Sequence, residues 1–345
     1  MAIMLMSLHV ILGASSAWAR EHVKTSPSAR KHASHKGYKA HAVKGKRHVR
    51  AARAIPRASP ARRAKARTVR RKKAVSNPAA FAAAPKDARQ QSPHSGRLDL
   101  LSSAVLVWDP ATARILFEKN SSTVQPIASI SKLMTALVVV EAHLDMHEVL
   151  EVTADDIDRI KHTSSRLRIG SRLTRADMLH IALMSSENRA ASALGRNYPG
   201  GLAVFVRAMN AKAKELGMND THYVEPTGLS SENVSSARDL AKLVMAAQKH
   251  PVIREYSTNR EYEVEPGGPS LQYRNSNRLI ANPGWEIVLQ KTGYISEAGR
   301  CLVMQTMIQG RAIVMVFLDA KGKYGRAADA GRVRKWLESF RAPQM

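Results

Sequence analysis

Ser129 and Lys132 stand three residues apart in the run Gln125-Pro126-Ile127-Ala128-Ser129-Ile130-Ser131-Lys132-Leu133-Met134-Thr135. The run has helical character after Pro126, and residues i and i+3 share one helix face. The Ser129 hydroxyl and the Lys132 amine can therefore meet. Serine is a poor nucleophile until a base takes its proton, and a neutral amine can serve as that base. A free lysine titrates near roughly 10.4, so it needs burial or a nearby cation to be neutral at ordinary pH. Lys291, in Lys291-Thr292-Gly293, is a candidate for that cation. The two lysines then divide the labour: Lys132 is the base, and Lys291 holds a substrate carboxylate. A third stretch, Ser186-Glu187-Asn188, completes the set. Ser186 can relay a proton to a leaving amine, and Asn188 can hold a substrate amide through its donor and acceptor. Thr292 adds a hydroxyl to the carboxylate site. Gly293 on a strand lets a substrate backbone approach closely, so an extended peptide can pair with that edge. The backbone N–H groups of Ser129 and Tyr294 are candidates for an oxyanion hole.

Each pattern has competitors. Ser28-Ala29-Arg30-Lys31 repeats Ser-x-x-Lys in a polar segment, and Ser230-Ser231-Glu232-Asn233 repeats Ser185-Ser186-Glu187-Asn188 letter for letter. The earlier copy is preferred because it follows a buried-looking helix and opens another, the rigid setting a site needs. The later copy lies in a turn-rich loop after Pro226 and Gly228. Ser257-Thr258-Asn259 also fits Ser-x-Asn but has no apolar helix leading in.

Several elements must position these residues. Ser103–Trp108 and Arg114–Glu118 read as strands joined by the turn residues Asp109-Pro110-Ala111-Thr112. The nucleophile helix follows, from about Ser129 into Val140. Thr174 and Asp177 look like a capping box ahead of a buried helix ending at Ser185-Ser186. A further helix covers about Leu202 to Leu216 and stops at Gly217. Another starts near Ser236, with Asp239 at its N3 position. Trp285–Thr292, Leu302–Ile308 and Ile313–Leu318 read as strands, the last two joined through Gln309-Gly310-Arg311. A last helix spans about Ala327 to Phe340. Strands, helices, strands and a helix predict an α+β fold with an antiparallel sheet. Cys301 sits in an apolar strand run and reads as a buried small hydrophobe.

The charge is unevenly spread. The 345 residues carry a formal net charge of +26, yet residues 20–73 hold 20 Lys and Arg and one acid, Glu21. The rest keeps 34 basic against 27 acidic residues. Residues 1–19 are apolar and end Ala17-Trp18-Ala19, which reads as a secretory signal peptide without the usual basic start. Residues 20–95 have too few apolar residues for a core and read as a disordered basic linker. Its expected partners are anionic envelope polymers; nucleic acid is not expected. No metal or cofactor is expected.

Pro126 to Thr135, Leu183 to Ala190 and Leu289 to Gly293 resemble the low-molecular-mass penicillin-binding proteins, whose signature is Ser-x-x-Lys, Ser-Asp-Asn and Lys-Thr-Gly. Glu187 stands where the usual pattern has Asp. Ser185 to Ala190 and Glu225-Pro226-Thr227-Gly228-Leu229-Ser230 are most similar to the D-alanyl-D-alanine endopeptidase subgroup. The resemblance implies a β-lactamase/transpeptidase-like fold over residues 96–342, an antiparallel sheet flanked by helices with a helix-rich subdomain. It implies an acyl-enzyme on Ser129, peptidoglycan stem peptides as substrate, cleavage after D-alanine in cross-links or stem ends, a periplasmic location, and covalent inhibition by β-lactams. The chain ends too soon after the last helix for the extra β domain and amphipathic anchor of the carboxypeptidase relatives. Two other readings are a serine β-lactamase and a non-catalytic envelope-binding protein. A class A-like β-lactamase needs a glutamate that activates water. Glu215-Leu216-Gly217-Met218-Asn219 faintly matches such a stretch, but Gly217 there fits a helix C-cap.

Overall fold

The structure, a computed structural model, describes residues 98–340. The expected signal peptide, the basic linker and the Ser28–Lys31 competitor lie outside the described residues.

The chain opens with a hairpin, β1 (Ser102–Asp109) and β2 (Arg114–Lys119). A short strand, β3 (Gln125–Pro126), leads into a 3-10 turn over Ala128–Ile130 and helix α1 (Ser131–Glu141). Next come β4 (Val149–Glu151), β5 (Arg172–Thr174), and the helices α2 (Arg175–Met184), α3 (Asn188–Arg196) and α4 (Gly201–Glu215). The two-residue strand β6 (Val234–Ser235) precedes α5 (Ala237–Ala247) and α6 (Pro251–Thr258). A small hairpin, β7 (Glu261–Val264) and β8 (Leu271–Arg274), is followed by β9 (Glu286–Ile295), β10 (Gly299–Ile308), β11 (Arg311–Ala320) and α7 (Gly325–Ser339).

Five strands form one antiparallel sheet in the order β2-β1-β11-β10-β9. Both faces are covered, which explains the nearly continuous apolar runs of β1, β10 and β11. Ala104, Leu106, Trp108, Val303, Val314 and Val316 turn toward the helical body. Val105, Val107, Leu302, Met304, Met315 and Phe317 turn the other way and meet Ala330, Val333 and Leu337 of α7. Each of these residues alternates with its strand neighbours, as the two-residue period of a strand requires. The β10–β11 connection is two residues, Gln309 and Gly310, both at positive φ (50° and 73°). That is the hairpin turn whose twist matches the strands. Cys301 is fully buried in β10, as its surroundings in the sequence predict.

Helix α1 is buried from Ser131 through Val139, so it is enclosed around its circumference and forms the axis of the helical body. The capping box at α2 is present: Thr174 Oγ1 accepts from the Asp177 N–H, and the Asp177 carboxylate accepts from the Thr174 N–H. Ser236 caps α5 by accepting from the Asp239 N–H. The nucleophile segment differs from a plain helix. Ser129 lies in the 3-10 turn ahead of α1, and a 3-10 turn eclipses residues i and i+3 more closely than an α-turn does.

Candidate active site

Ser129 is held at the junction of three segments. The 3-10 turn carries its backbone, β9 approaches from one side and the 225–233 loop from another. Two glycines make these approaches possible. A Cβ on Gly228, which has φ +78°, would stand 2.0 Å from the Ala128 carbonyl oxygen and 2.7 Å from the Ser129 nitrogen. A Cβ on Gly293 would stand 2.9 Å from the Ile127 carbonyl oxygen and 3.1 Å from the Ser129 nitrogen. Ala128 itself takes φ +49° and Ser186 takes φ +68°. Left-handed backbone at a residue with a Cβ costs roughly 1–2 kcal/mol, and such strain gathers at functional sites.

Lys132 is fully buried in the first turn of α1 and in its ammonium form donates three hydrogen bonds. Its Nζ reaches Ser129 Oγ at 2.9 Å, Asn188 Oδ1 at 2.7 Å and the Thr227 carbonyl at 2.5 Å. Burial pushes its pKa down to about 8, against the pull of Glu225, Glu187 and Asp158. The amine is therefore close to neutral at mildly alkaline pH and points at the hydroxyl it would deprotonate.

Asn188 opens α3, whose N-cap is Glu187 rather than Ser186. Asn188 Oδ1 accepts from Lys132, and its Nδ2 donates to Thr163 Oγ1 at 3.0 Å. The sequence suggested that both ends of this amide face the substrate. In the fold the acceptor is shared with Lys132, and one of the two N–H groups remains for a ligand. Thr163 is fixed in turn by Asp158, which accepts from its N–H at 2.8 Å and its hydroxyl at 2.7 Å. Burial pulls the Asp158 carboxyl up, and the hydrogen bonds from Lys161, Thr163 and Ile160 outweigh it, leaving it at about 2.

Lys291, Thr292 and Gly293 lie on β9, the edge strand. Lys291 is fully buried and its Nζ donates to the Thr292 carbonyl at 2.8 Å. Burial, the Lys132 ammonium and the Arg326 guanidinium all drive it well below the usual lysine range. Like charges this close cannot both persist cheaply, so an arriving carboxylate is what would hold Lys291 in its cationic form. The Thr292 hydroxyl meets Ser276 Oγ at 2.7 Å. The first part of the β9 edge is covered, since the Gln290 N–H donates to Ser257 Oγ of α6. The remainder faces a cleft of about 420 Å³ lined by Ser129, Ser186, Asn188, Thr292, Gly293 and Tyr294. Ser129, Ser186, Asn188, Thr292, Gly293 and Tyr294 thus share one cleft, with Lys132 bonded to Ser129 and Asn188 behind it, whereas neither Ser186 nor Lys291 is hydrogen-bonded to Ser129 or Lys132.

Sequence reasoning missed Arg326 and gave Thr227 and Glu225 no role beyond a family likeness. Arg326 of α7 reaches over β9 and donates to the Gly293 carbonyl at 2.7 Å. Thr227 contributes only a backbone oxygen. Glu225 shapes that loop, accepting from the N–H groups of Thr227, Gly228 and Ser230. The rejected copy of Ser-Glu-Asn has a structural role. Asn233 is fully buried and its Nδ2 donates to Ser131 Oγ, the Glu225 carbonyl and Glu225 Oε1. It therefore ties the loop to the base of α1. Ser257 and Asn259 close α6 against its neighbours. Glu215, the residue a β-lactamase reading would need, ends α4 and pairs with Lys212.

Comparison with known proteins agrees with this layout. The profile of the D-alanyl-D-alanine carboxypeptidase family matches residues 88–322. A D-alanyl-D-alanine endopeptidase of Pseudomonas aeruginosa is 50% identical over 243 residues, covering 70% of this chain and 78% of that protein. One from Escherichia coli is 47% identical with the same coverage. The crystal structure of penicillin-binding protein D2 from Listeria monocytogenes, in its cefotaxime-bound form, matches with a TM-score of 0.61 and 29% identity, over 69% of this chain and 97% of that one. With the segments around Ser129, Ser186 and Lys291 all inside the matched span, the chain belongs to the D-alanyl-D-alanine carboxypeptidase family.

Proposed function

We propose that Ser129 attacks the carbonyl of a D-alanine in a peptidoglycan stem peptide and so breaks the bond that follows it, the protein working as a serine D,D-peptidase of the periplasm. One observation carries this reading above the rest: the buried Lys132 amine lies 2.9 Å from the Ser129 hydroxyl, with its pKa lowered to about 8.

The substrate lies along β9 from Gly293 onward, its terminal or side-chain carboxylate held by Lys291 and Thr292. Lys132 takes the Ser129 proton as the hydroxyl oxygen bonds to the carbonyl carbon. The N–H groups of Ser129 and Tyr294 hold the oxyanion that forms. Collapse of the tetrahedral species breaks the C–N bond, and Ser186 hands the proton from Lys132 to the departing amine. Water then hydrolyses the Ser129 ester by the reverse sequence. A β-lactam carries the same carbonyl and carboxylate, so it acylates Ser129 and stays. General-base assistance of this kind is worth roughly 10²–10⁴ in rate.

Export follows from the apolar leader, and the basic segment attracts the protein to anionic envelope polymers. No helix among the described residues is long and apolar enough to cross a membrane. The test is labelling with a fluorescent penicillin. The unaltered protein should label, and Ser129→Ala should lose both labelling and release of D-alanine-linked products. Labelling that survives in Ser129→Ala rules the assignment out.

A further inference from the structure

We propose that Asp158 and Thr163 are positioning residues for the base: they fix which end of the Asn188 amide faces Lys132, and so aim the lone pair of the neutral amine at Ser129. The inference rests on the proposed role of Lys132 as base. A neutral lysine amine has two N–H groups and one lone pair. Three groups surround the Lys132 Nζ: Ser129 Oγ at 2.9 Å, Asn188 Oδ1 at 2.7 Å and the Thr227 carbonyl at 2.5 Å. When the last two accept the two N–H groups, the lone pair has only the Ser129 hydroxyl left to meet. That is the geometry proton transfer needs.

The Thr227 carbonyl can only accept, so that side is settled. Asn188 is different, because its amide can turn about and present either oxygen or nitrogen. While Lys132 is an ammonium, its own charge keeps the oxygen end in place. Once the amine is neutral that constraint is gone. A reversed amide would then donate to the lone pair and occupy it. A group outside this pair must hold the amide at the moment the base is reactive.

The 158–163 loop supplies it. Asp158 accepts from the N–H groups of Ile160 and Lys161 at 2.8 and 2.9 Å. It also accepts from the Thr163 N–H at 2.8 Å and the Thr163 hydroxyl at 2.7 Å. Burial raises this carboxyl, and the four hydrogen bonds outweigh burial and leave it at about 2, so near neutral pH it accepts and never donates. The single hydroxyl proton of Thr163 is therefore committed to Asp158. Toward Asn188, Thr163 Oγ1 can offer only a lone pair, and the amide answers with Nδ2 at 3.0 Å. The oxygen end is thereby left facing Lys132. Polarity passes from a fixed charge through a hydroxyl and an amide to the amine.

The experiment follows acylation by a penicillin against pH in Thr163→Val, Thr163→Ser, Asp158→Asn and the Thr163→Val/Asp158→Asn double variant. Thr163 is exposed and valine has its shape, so the fold should persist. Thr163→Val frees the amide, and the plateau rate of acylation should fall about tenfold, the size of one hydrogen bond, with initial penicillin binding unchanged. Thr163→Ser keeps the hydroxyl and should stay within about twofold. Asp158→Asn turns a donor toward Thr163 and should lose about as much as Thr163→Val. The double variant should lose no more than either, since both break one relay. The ascending limb should also move to lower pH in Thr163→Val and Asp158→Asn, because a reversed amide stabilises a neutral amine that cannot take the proton. Glu225, Glu187 and Asp158 favour the ammonium and Lys291 opposes it, so Asp158→Asn moves the limb the further of the two. Unchanged acylation in Thr163→Val, or equal losses in Thr163→Val and Thr163→Ser, overturns the inference. Crystal structures at atomic resolution read the amide directly, with Nδ2 toward Thr163 in the unaltered protein and reversed in Thr163→Val at high pH. The opposite orientation in the unaltered protein overturns the inference whether or not Ser129 is the nucleophile. Failure of the unaltered protein to label strikes the serine peptidase reading instead.

Discussion

At the level of single residues, the site turns on how a lysine is made neutral. Burial brings Lys132 to about 8, so the fraction competent as a base grows as pH rises toward that value. Below it the ammonium has no lone pair for the Ser129 proton, and the rate should fall about tenfold per pH unit. Acylation of the free enzyme by a penicillin, followed from pH 5.5 to 9.5, should show an ascending limb centred near 8. A flat profile would remove Lys132 as the base. The Ser129–Lys132 partnership was legible because it is local: a spacing of three fixes it. Lys291 and Asn188 were legible only through their company in a motif. The Thr227 carbonyl was invisible because every residue has one, and the side chain says nothing of where it points. Arg326 left no trace because no spacing rule joins a C-terminal helix to an edge strand.

At the level of elements, the 3-10 turn and the 225–233 loop act as one unit. Gly228→Ala would bring both left-handed strain, roughly 1–2 kcal/mol, and a clash with the Ala128 carbonyl at 2.0 Å. The turn must shift, and displacement of a nucleophile by about 1 Å costs roughly a hundredfold in rate. The variant should acylate about a hundredfold more slowly and melt lower, as read by stopped-flow labelling and by circular dichroism. Unchanged acylation would show that the loop does not seat Ser129. The long apolar strands and the capped helices α2 and α5 were readable because their signals are periodic or sit at fixed offsets. Helix α6 and the β7–β8 hairpin were not. Each is short, and the hairpin strands carry mostly polar residues whose burial depends on partners far along the chain. The Pro266-Gly267-Gly268-Pro269 turn between β7 and β8 was the available signal. The two identical Ser-Ser-Glu-Asn stretches show the limit of reading letters. Asn188 meets the catalytic amine and Asn233 buttresses a loop, and only the apolar helix ahead of the first separates them in sequence.

For the molecule as a whole, the sheet and the α1 axis form a rigid frame and the charge lies mainly at 20–73. Deleting residues 20–90 should leave turnover of small soluble substrates unchanged and weaken attachment to envelope material at low salt. Sedimentation with isolated envelopes checks this, and the difference should fade toward 1 M salt, where the screening length is about 3 Å. Attachment that survives deletion would discard the electrostatic role. The α+β class was legible from the order of elements alone, because a sheet built from both ends of the chain needs strands at both ends. The cleft was not, since it is made where segments some 160 residues apart converge. One feature of that cleft reaches beyond catalysis. A bare strand edge invites a neighbouring copy to dock and grow a ribbon. Here α6 shields one end of β9, and an ion pair between Lys161 and Glu297 straps the other. The exposed length is a few residues, enough to seat a tetrapeptide and too short to nucleate self-association, so the protein can present sticky backbone in a crowded compartment without polymerising.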